Sequence, residues 1–139
     1  MVVKSQNEMK LTIIIPAYNE SKYIQKSIEL IYLQLQSKKI KFNIIIIDDG
    51  STDNTWQIIK QIEARNNNLK CVRMPSNTGK DRAIIEGLKL SKSNYTIIID
   101  ADGEHPFDSI YKMYKTSLQS DCNIVYGVRK SNKESKLWF

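Results

Sequence analysis

Ile97-Ile98-Ile99-Asp100-Ala101-Asp102-Gly103-Glu104-His105-Pro106 sets an apolar, β-branched run directly against two carboxylates spaced i, i+2, then a glycine, a third carboxylate and the only histidine of the chain. Runs of this composition are read as buried strands. Alternate residues of an extended segment point the same way, so Asp100 and Asp102 can project toward one ligand, their backbones about 7 Å apart. Two such carboxylates repel unless a cation or proton lies between them. Hard divalent cations prefer carboxylate oxygens, which makes this strand end a candidate site for Mg2+ or Mn2+. Asp-x-Asp-Gly is also an ordinary turn sequence, and these ten residues alone leave both readings open.

Working outward, the same pattern recurs. Leu11 to Ile15 is a β-branched strand stopped by Pro16, and Phe42 to Ile47 is a second, ending at Asp48-Asp49-Gly50. Leu69 to Met74 is a third, Tyr95 to Ile99 a fourth, and Asn123 to Val128 a fifth. Between them, Ile24, Ile28, Ile31 and Leu35 recur at helical spacing. So do Trp56, Ile59 and Ile62, then the small-residue face of Ala83, Gly87 and Ser91, and finally Ile110, Met113 or Tyr114, and Leu118 after a start at Pro106 and Phe107. Ser51 to Thr55 is dense in N-cap residue types, so Ser51 or Asp53 is expected to cap the second helix. Strands alternating with helices predict an α/β fold: a mostly parallel sheet with helices on both faces. Ligands of such sheets bind beyond the carboxyl ends of the strands. That rim would carry Pro16 to Glu20, Asp48 to Asp53 and Asp100 to Glu104.

Composition narrows the partners. The chain has 139 residues, 41% of them hydrophobic, enough for one domain with a real core. A net charge of +6 fits an anionic partner: a phosphate-bearing ligand, a membrane surface or a nucleic acid. No basic block interleaves with aromatics, which counts against nucleic acid. Cys71 and Cys122 belong to no paired-cysteine motif and are expected to be free, buried thiols, with neither a disulfide framework nor a zinc site. Neither a signal peptide nor an apolar run of bilayer-spanning length is read, so the expectation is a cytoplasmic protein, peripheral at most on the cytoplasmic face of a membrane.

Each rim segment is by itself a plausible turn. Together they place at least four acids on one edge of a basic protein, a crowding that a bound metal and nucleotide would resolve. Lys80 follows Gly79 at a helix start, where free N–H groups and the helix dipole favour anions. Lys80 and Arg82 are therefore candidate phosphate contacts, against the commoner fate of a solvated helix face.

Five segments, IIIPAYNE (13–20), IIDDGSTDNT (46–55), NTGKDRAIIEGL (77–88), IIIDADGEHPFDSI (97–110) and VYGVRK (125–130), together resemble the family-2 glycosyltransferases in order and spacing. Within that family they look most like the polyprenyl-phosphate sugar transferases, the dolichol-phosphate-mannose-synthase-like branch. The resemblance covers Leu11 to Lys130 and implies the Rossmann-like GT-A nucleotide-diphospho-sugar-binding fold over 11–130. Residues 1–10 are then a flexible lead-in and 131–139 a basic, aromatic tail.

The resemblance also implies roles. Pro16, Ala17, Tyr18 and Glu20 would contact base and ribose, and Asp49 would hydrogen-bond the base. Asp100 and Asp102 would form the DxD motif, with Asp102 the leading metal ligand and Glu104 approaching the same ion. Arg129 would hold a phosphate of donor or acceptor and, with Asp102, make up the catalytic set, while Lys80 joins the nucleotide contacts. The implied reaction is metal-dependent, inverting transfer of a sugar from a GDP- or UDP-sugar to a polyprenyl phosphate. A lipid monophosphate is largely dianionic at neutral pH and needs no general base. That suits a sequence with no evident base, because His105, just before a proline at a helix start, reads as a structural or second-layer residue.

Three departures stand out. Asp81 replaces the family's second glycine, Val128 replaces the serine of Gly-Ser-Arg, and the sequence stops at Phe139, where the family continues through elements that build the acceptor side. The tail then reads as the start of membrane-facing helices cut short, or as a solvated end. The alternatives are a transferase completed as a homo-oligomer, a family-2 transferase with a saccharide acceptor, and a nucleotide-sugar-binding module without catalysis.

Overall fold

The computed structural model of the chain describes residues 11–106 and 108–120, together with Val125 and Gly127. Four strands, β1 (Leu11–Ala17), β2 (Phe42–Asp48), β3 (Leu69–Arg73) and β4 (Tyr95–Ile98), alternate with four helices: α1 (Ile24–Ser37), α2 (Thr55–Glu63), α3 (Lys80–Leu90) and α4 (Ser109–Gln119). The strands form one parallel sheet in the order β3-β2-β1-β4. The expected α/β architecture is what forms. The fifth predicted strand, apart from Val125 and Gly127, lies outside the described residues, as do Cys122 and Arg129.

The central strand β1 is buried along its whole length, as a parallel strand covered on both faces must be. Its odd residues Leu11, Ile13, Ile15 and Ala17 join Ile44 and Ile46 of β2 under α1, α2 and α4. Its even residue Ile14 joins Ile45 and Ile47 under α3. Fully burying each such side chain contributes roughly 1.5–3 kcal/mol, so the isoleucine runs are the main source of the sheet's stability.

Element boundaries moved for physical reasons. β1 does not stop at Pro16 but runs one residue further. The Ile14 carbonyl accepts from Ile99 N–H toward β4, and the ladder with β4 ends at the Ile14–Ile98 pair. Pro16 presents its missing N–H on that same side, past the last rung, where no donor is needed. Leu118 was expected on the buried side of α4, but it is exposed while Ile110 and Tyr114 carry the contact. Cys71 is a buried free thiol, as expected, and burial pushes its pKa up to about 12.

α3 lies close on β1 because position 87 has no side chain: a Cβ there would stand 2.6 Å from Cγ2 of the fully buried Ile14. Gly87→Ala should therefore destabilise the protein. Alanine gains about 1 kcal/mol of helix propensity, but overpacking a rigid β-branched neighbour costs roughly 1–3 kcal/mol or more. We expect a net loss of about 1–2 kcal/mol in urea unfolding, with Ile14→Ala costing less in the Gly87→Ala background than alone. Additive effects of the two changes would show that the helix does not bear on Ile14 through this contact.

Candidate functional site

The chain order reverses beside β1, where β2 and β3 lie on one side and β4 on the other. Crevices at such switch points, outside the carboxyl ends of the strands, are where ligands of this architecture bind. Here that crevice is a cleft of about 320 Å³ lined by Pro16, Ala17, Tyr18, Glu20, Asp49, Asn77, Lys80, Ala83, Asp100, Ala101 and Asp102. Eight of the sequence-derived candidates, Pro16, Ala17, Tyr18, Glu20, Asp49, Lys80, Asp100 and Asp102, converge in it from the carboxyl ends of β1, β2 and β4 and the start of α3, whereas Arg82 does not line it. Glu104 does not line it. Its backbone N–H instead donates to Asp102 Oδ1 at 3.0 Å, fixing that carboxylate's orientation.

The turn bearing Asp100 and Asp102 is pinned from behind. His105 Nε2 donates to the Asp100 carbonyl at 2.9 Å, and Ser27 Oγ of α1 donates to the Ala101 carbonyl at 2.9 Å. His105 is thereby a support of the turn through its Nε2. Ser27 escaped notice in the sequence because a serine on the inner side of an amphipathic helix gives no sign of a partner 74 positions away.

Asp49 is 3% exposed and straps the 77–79 loop. Its Oδ1 accepts from Thr78 N–H at 2.8 Å and Thr78 Oγ1 at 3.0 Å, and its Oδ2 accepts from Gly79 N–H at 2.8 Å. Gly50, at φ +72°, passes so close to the same loop that a Cβ would sit 2.7 Å from the Ser76 carbonyl carbon. This strap delivers Lys80, the first residue of α3, to the cleft, where its ammonium pairs with Asp100.

The residues of 51–55 do more than cap a helix. Ser51 Oγ accepts from Asn19 N–H at 2.9 Å, Thr55 Oγ1 from Glu20 N–H at 2.8 Å, and Asp53 Oδ2 from Ser21 N–H at 3.2 Å. In return Asn19 Oδ1 accepts from Thr52 N–H at 2.8 Å. Neither expected residue is the N-cap of α2, which is Asn54 without a side-chain cap bond; Asp53, one residue before it, accepts from Thr55 N–H at the helix start, and Ser51 serves the 18–21 segment. The sequence held one clue: 51–55 has more cap-type side chains than one helix start can use. Burial pushes the Asp53 carboxyl up, but the hydrogen bonds from Thr55 and Ser21 outweigh it and hold the pKa at about 2.

Glu20 shows the electrostatic character of the rim. Burial, then the carboxylates of Asp102, Asp53 and Asp100, raise its pKa above the usual carboxylate value. A cation in the cleft would relieve that crowding. Among the described residues no three His, Cys, Asp or Glu side chains are arranged to hold an ion by themselves. A magnesium-like ion does not require that many: one or two carboxylates suffice, with waters and substrate phosphates completing the shell. The all-oxygen donors Asp100 and Asp102 fit such an ion.

Among the described residues no helix is long and apolar enough to cross a membrane. Residues 12–139 match Glycosyl transferase family 2. A dolichyl-phosphate β-glucosyltransferase of Dictyostelium discoideum is 34% identical over 138 residues, covering 91% of this chain and 42% of the relative. A mannosyltransferase of Pyrobaculum calidifontis, solved with GDP-Man and Mn2+, superposes with a TM-score of 0.68 at 25% identity over 79% of this chain and 32% of that one. TarS of S. aureus in complex with UDP gives a TM-score of 0.61 at 30% identity over 68% of this chain and 28% of the other. The chain thus spans about two-fifths or less of these proteins. Its fold is that of GT-A glycosyltransferases, and the chain belongs to glycosyl transferase family 2.

Proposed function

We propose that the cleft binds a nucleotide-diphosphate sugar together with Mg2+ or Mn2+, as the donor half of an inverting transferase whose acceptor is a polyprenyl phosphate. One observation carries the reading. Glu20, Asp100 and Asp102 crowd a cleft at the carboxyl ends of β1 and β4, with Lys80 the one cation lining it among the described residues. An anionic diphosphate would be repelled there alone but favoured with a divalent cation. The metal, when bound, supplies Lewis-acid neutralisation of the leaving diphosphate. Asp100 and Asp102 would hold it, and Glu104 keeps Asp102 oriented through its N–H and is a further candidate ligand.

The remaining residues bind and position. Lys80, now on Asp100, lies within the cleft to meet a phosphate as charge develops. Arg129 is proposed for a second phosphate contact on the family resemblance. Pro16, Ala17 and Tyr18 wall the base and ribose region. A carboxylate has about four acceptor sites, and three of Asp49's are taken by Thr78 and Gly79. The fourth is left to accept an N–H of the base, which for the uracil or guanine that the family resemblance implies is the ring N–H. A polyprenyl phosphate acceptor, already deprotonated, suits a cleft with no histidine among its lining residues. Such an acceptor would bring the protein to a membrane surface, with peripheral attachment on the cytoplasmic face as the proposed arrangement.

Calorimetric titration with GDP, UDP, ADP and CDP, with Mn2+ or with chelator, tests the donor site. GDP or UDP should bind only with metal, and ADP and CDP at least about tenfold more weakly, the effect of one hydrogen bond to a charged group. Metal-independent binding would remove the cation from the reading, and equal affinity for all four would remove Asp49 as a base contact. Transfer from the donor that binds to polyprenyl phosphate in vesicles tests the acceptor.

A further inference from the structure

Asp48 ends β2 with none of its side chain exposed. Neither carboxylate oxygen has an aligned hydrogen-bond donor. Its contact is the Arg73 guanidinium across the β2–β3 ladder, with Nε 3.1 Å from Oδ2 as an off-axis ion pair. Such a pair is a poor device for stability alone, since apolar side chains of similar volume often serve as well or better. What an apolar side chain cannot do is the guanidinium's other contact: Arg73 Nη2 donates to the Ser51 carbonyl at 2.7 Å. The centroid of the Trp56 ring lies 5.6 Å from Arg73 Cζ, within cation–π reach. Ser51 is the head of the network that holds the 19–21 backbone through Ser51, Asp53 and Thr55.

We propose that Arg73, on β3 and outside the cleft, is a positioning residue for the nucleotide site. Its fork ties the end of β2 to the Ser51 carbonyl and so seats the Tyr18–Glu20 wall of the cleft. The proposal rests on the nucleotide reading above. Lysine would not substitute, because a point charge cannot pair with Asp48, reach Ser51 and stack on Trp56 in one fixed geometry.

Arg73→Met alone would strand the buried Asp48 charge and could unfold the protein, so the test uses Asp48→Asn as its reference. Asp48→Asn keeps the arginine on Ser51, whereas Asp48→Asn/Arg73→Met leaves a neutral pair whose methionine still packs on Trp56. Two readouts are compared at a temperature where both variants are folded. One is the Kd for GDP and UDP with Mn2+, and the other is amide hydrogen exchange. The double variant should bind about tenfold more weakly than Asp48→Asn, and the Asn19, Glu20 and Ser21 amides should exchange faster while β1 and α1 keep their protection. Arg73→Lys should show the same selective loss. Equal affinity in the two Asp48→Asn backgrounds, or exchange that rises evenly over the chain, overturns the proposal. If the wild type binds neither nucleotide, the functional reading fails, and the exchange of residues 19–21 alone decides whether Arg73 seats that segment.

Discussion

Asp102→Ala is expected to reduce metal-dependent nucleotide affinity by about 100-fold or more while leaving the fold intact. Asp102 is only partly buried, and within the protein its carboxylate meets the Glu104 N–H at the surface, so little of the core depends on it. Even outer-shell partners of metal ligands typically cost 10–100-fold in metal affinity when removed, so a direct ligand should cost at least that. The loss should appear only in the presence of Mn2+, because without the ion the same change removes a repulsive charge from the cleft. In chelator, nucleotide binding should be unchanged or slightly improved. That opposite sign distinguishes a metal ligand from a residue that touches the nucleotide directly. Unchanged affinity with Mn2+ would sink the assignment of Asp102, and a loss of equal size in chelator would transfer it to the nucleotide. Asp100→Ala should differ, since it also frees Lys80.

Strand and helix order was legible because β1, β2 and β4 are short β-branched runs that lead into Pro or Asp, while β3 alternates buried and exposed positions ahead of Pro75. β1 is read correctly as buried on both faces, and the misplaced end at Pro16 turned on where the β4 ladder stops, which no local pattern encodes. The rim was legible for a related reason. Acids that directly follow apolar runs must sit at strand ends, and a parallel sheet puts all those ends on one side. What stayed hidden is the support: Ser27 behind Ala101, Ser51 and Thr55 behind residues 19 and 20, and Arg73 behind Ser51. Each is a hydrogen bond between positions far apart in the chain, made by side chains equally at home in solvent or at a helix cap. Their roles depend on which loops the sheet order brings together. Lys80 shows the same limit, since its place at a helix start fitted a phosphate contact, but only the fold reveals Asp100 opposite it.

Asp49→Ala should be the most damaging single change in the cleft, because this side chain does two jobs. It is 3% exposed and accepts three hydrogen bonds from Thr78 and Gly79. Bonds to a charged acceptor contribute about 1.5–3 kcal/mol each. The three share one carboxylate whose burial is itself costly, and Gly79 N–H keeps a second acceptor in Asn77 Oδ1 at 3.1 Å. We therefore expect a net loss of about 3 kcal/mol rather than the sum, a large part of a typical domain's 5–15 kcal/mol. Urea unfolding should show it as a lower midpoint at unchanged slope. Because the strapped loop leads straight into Lys80, nucleotide affinity should fall as well, even at temperatures where the variant is folded. Asp49→Asn separates the two jobs. It keeps an acceptor for Thr78 but turns an amide donor against the Gly79 N–H, so about half the stability loss should remain. Preference for GDP or UDP over CDP should also shrink, because the acceptor left for a ring N–H is reduced. A stable Asp49→Ala protein that loses nucleotide binding would make Asp49 a base contact and nothing more. An unstable one that keeps the base preference when folded would make it only the strap.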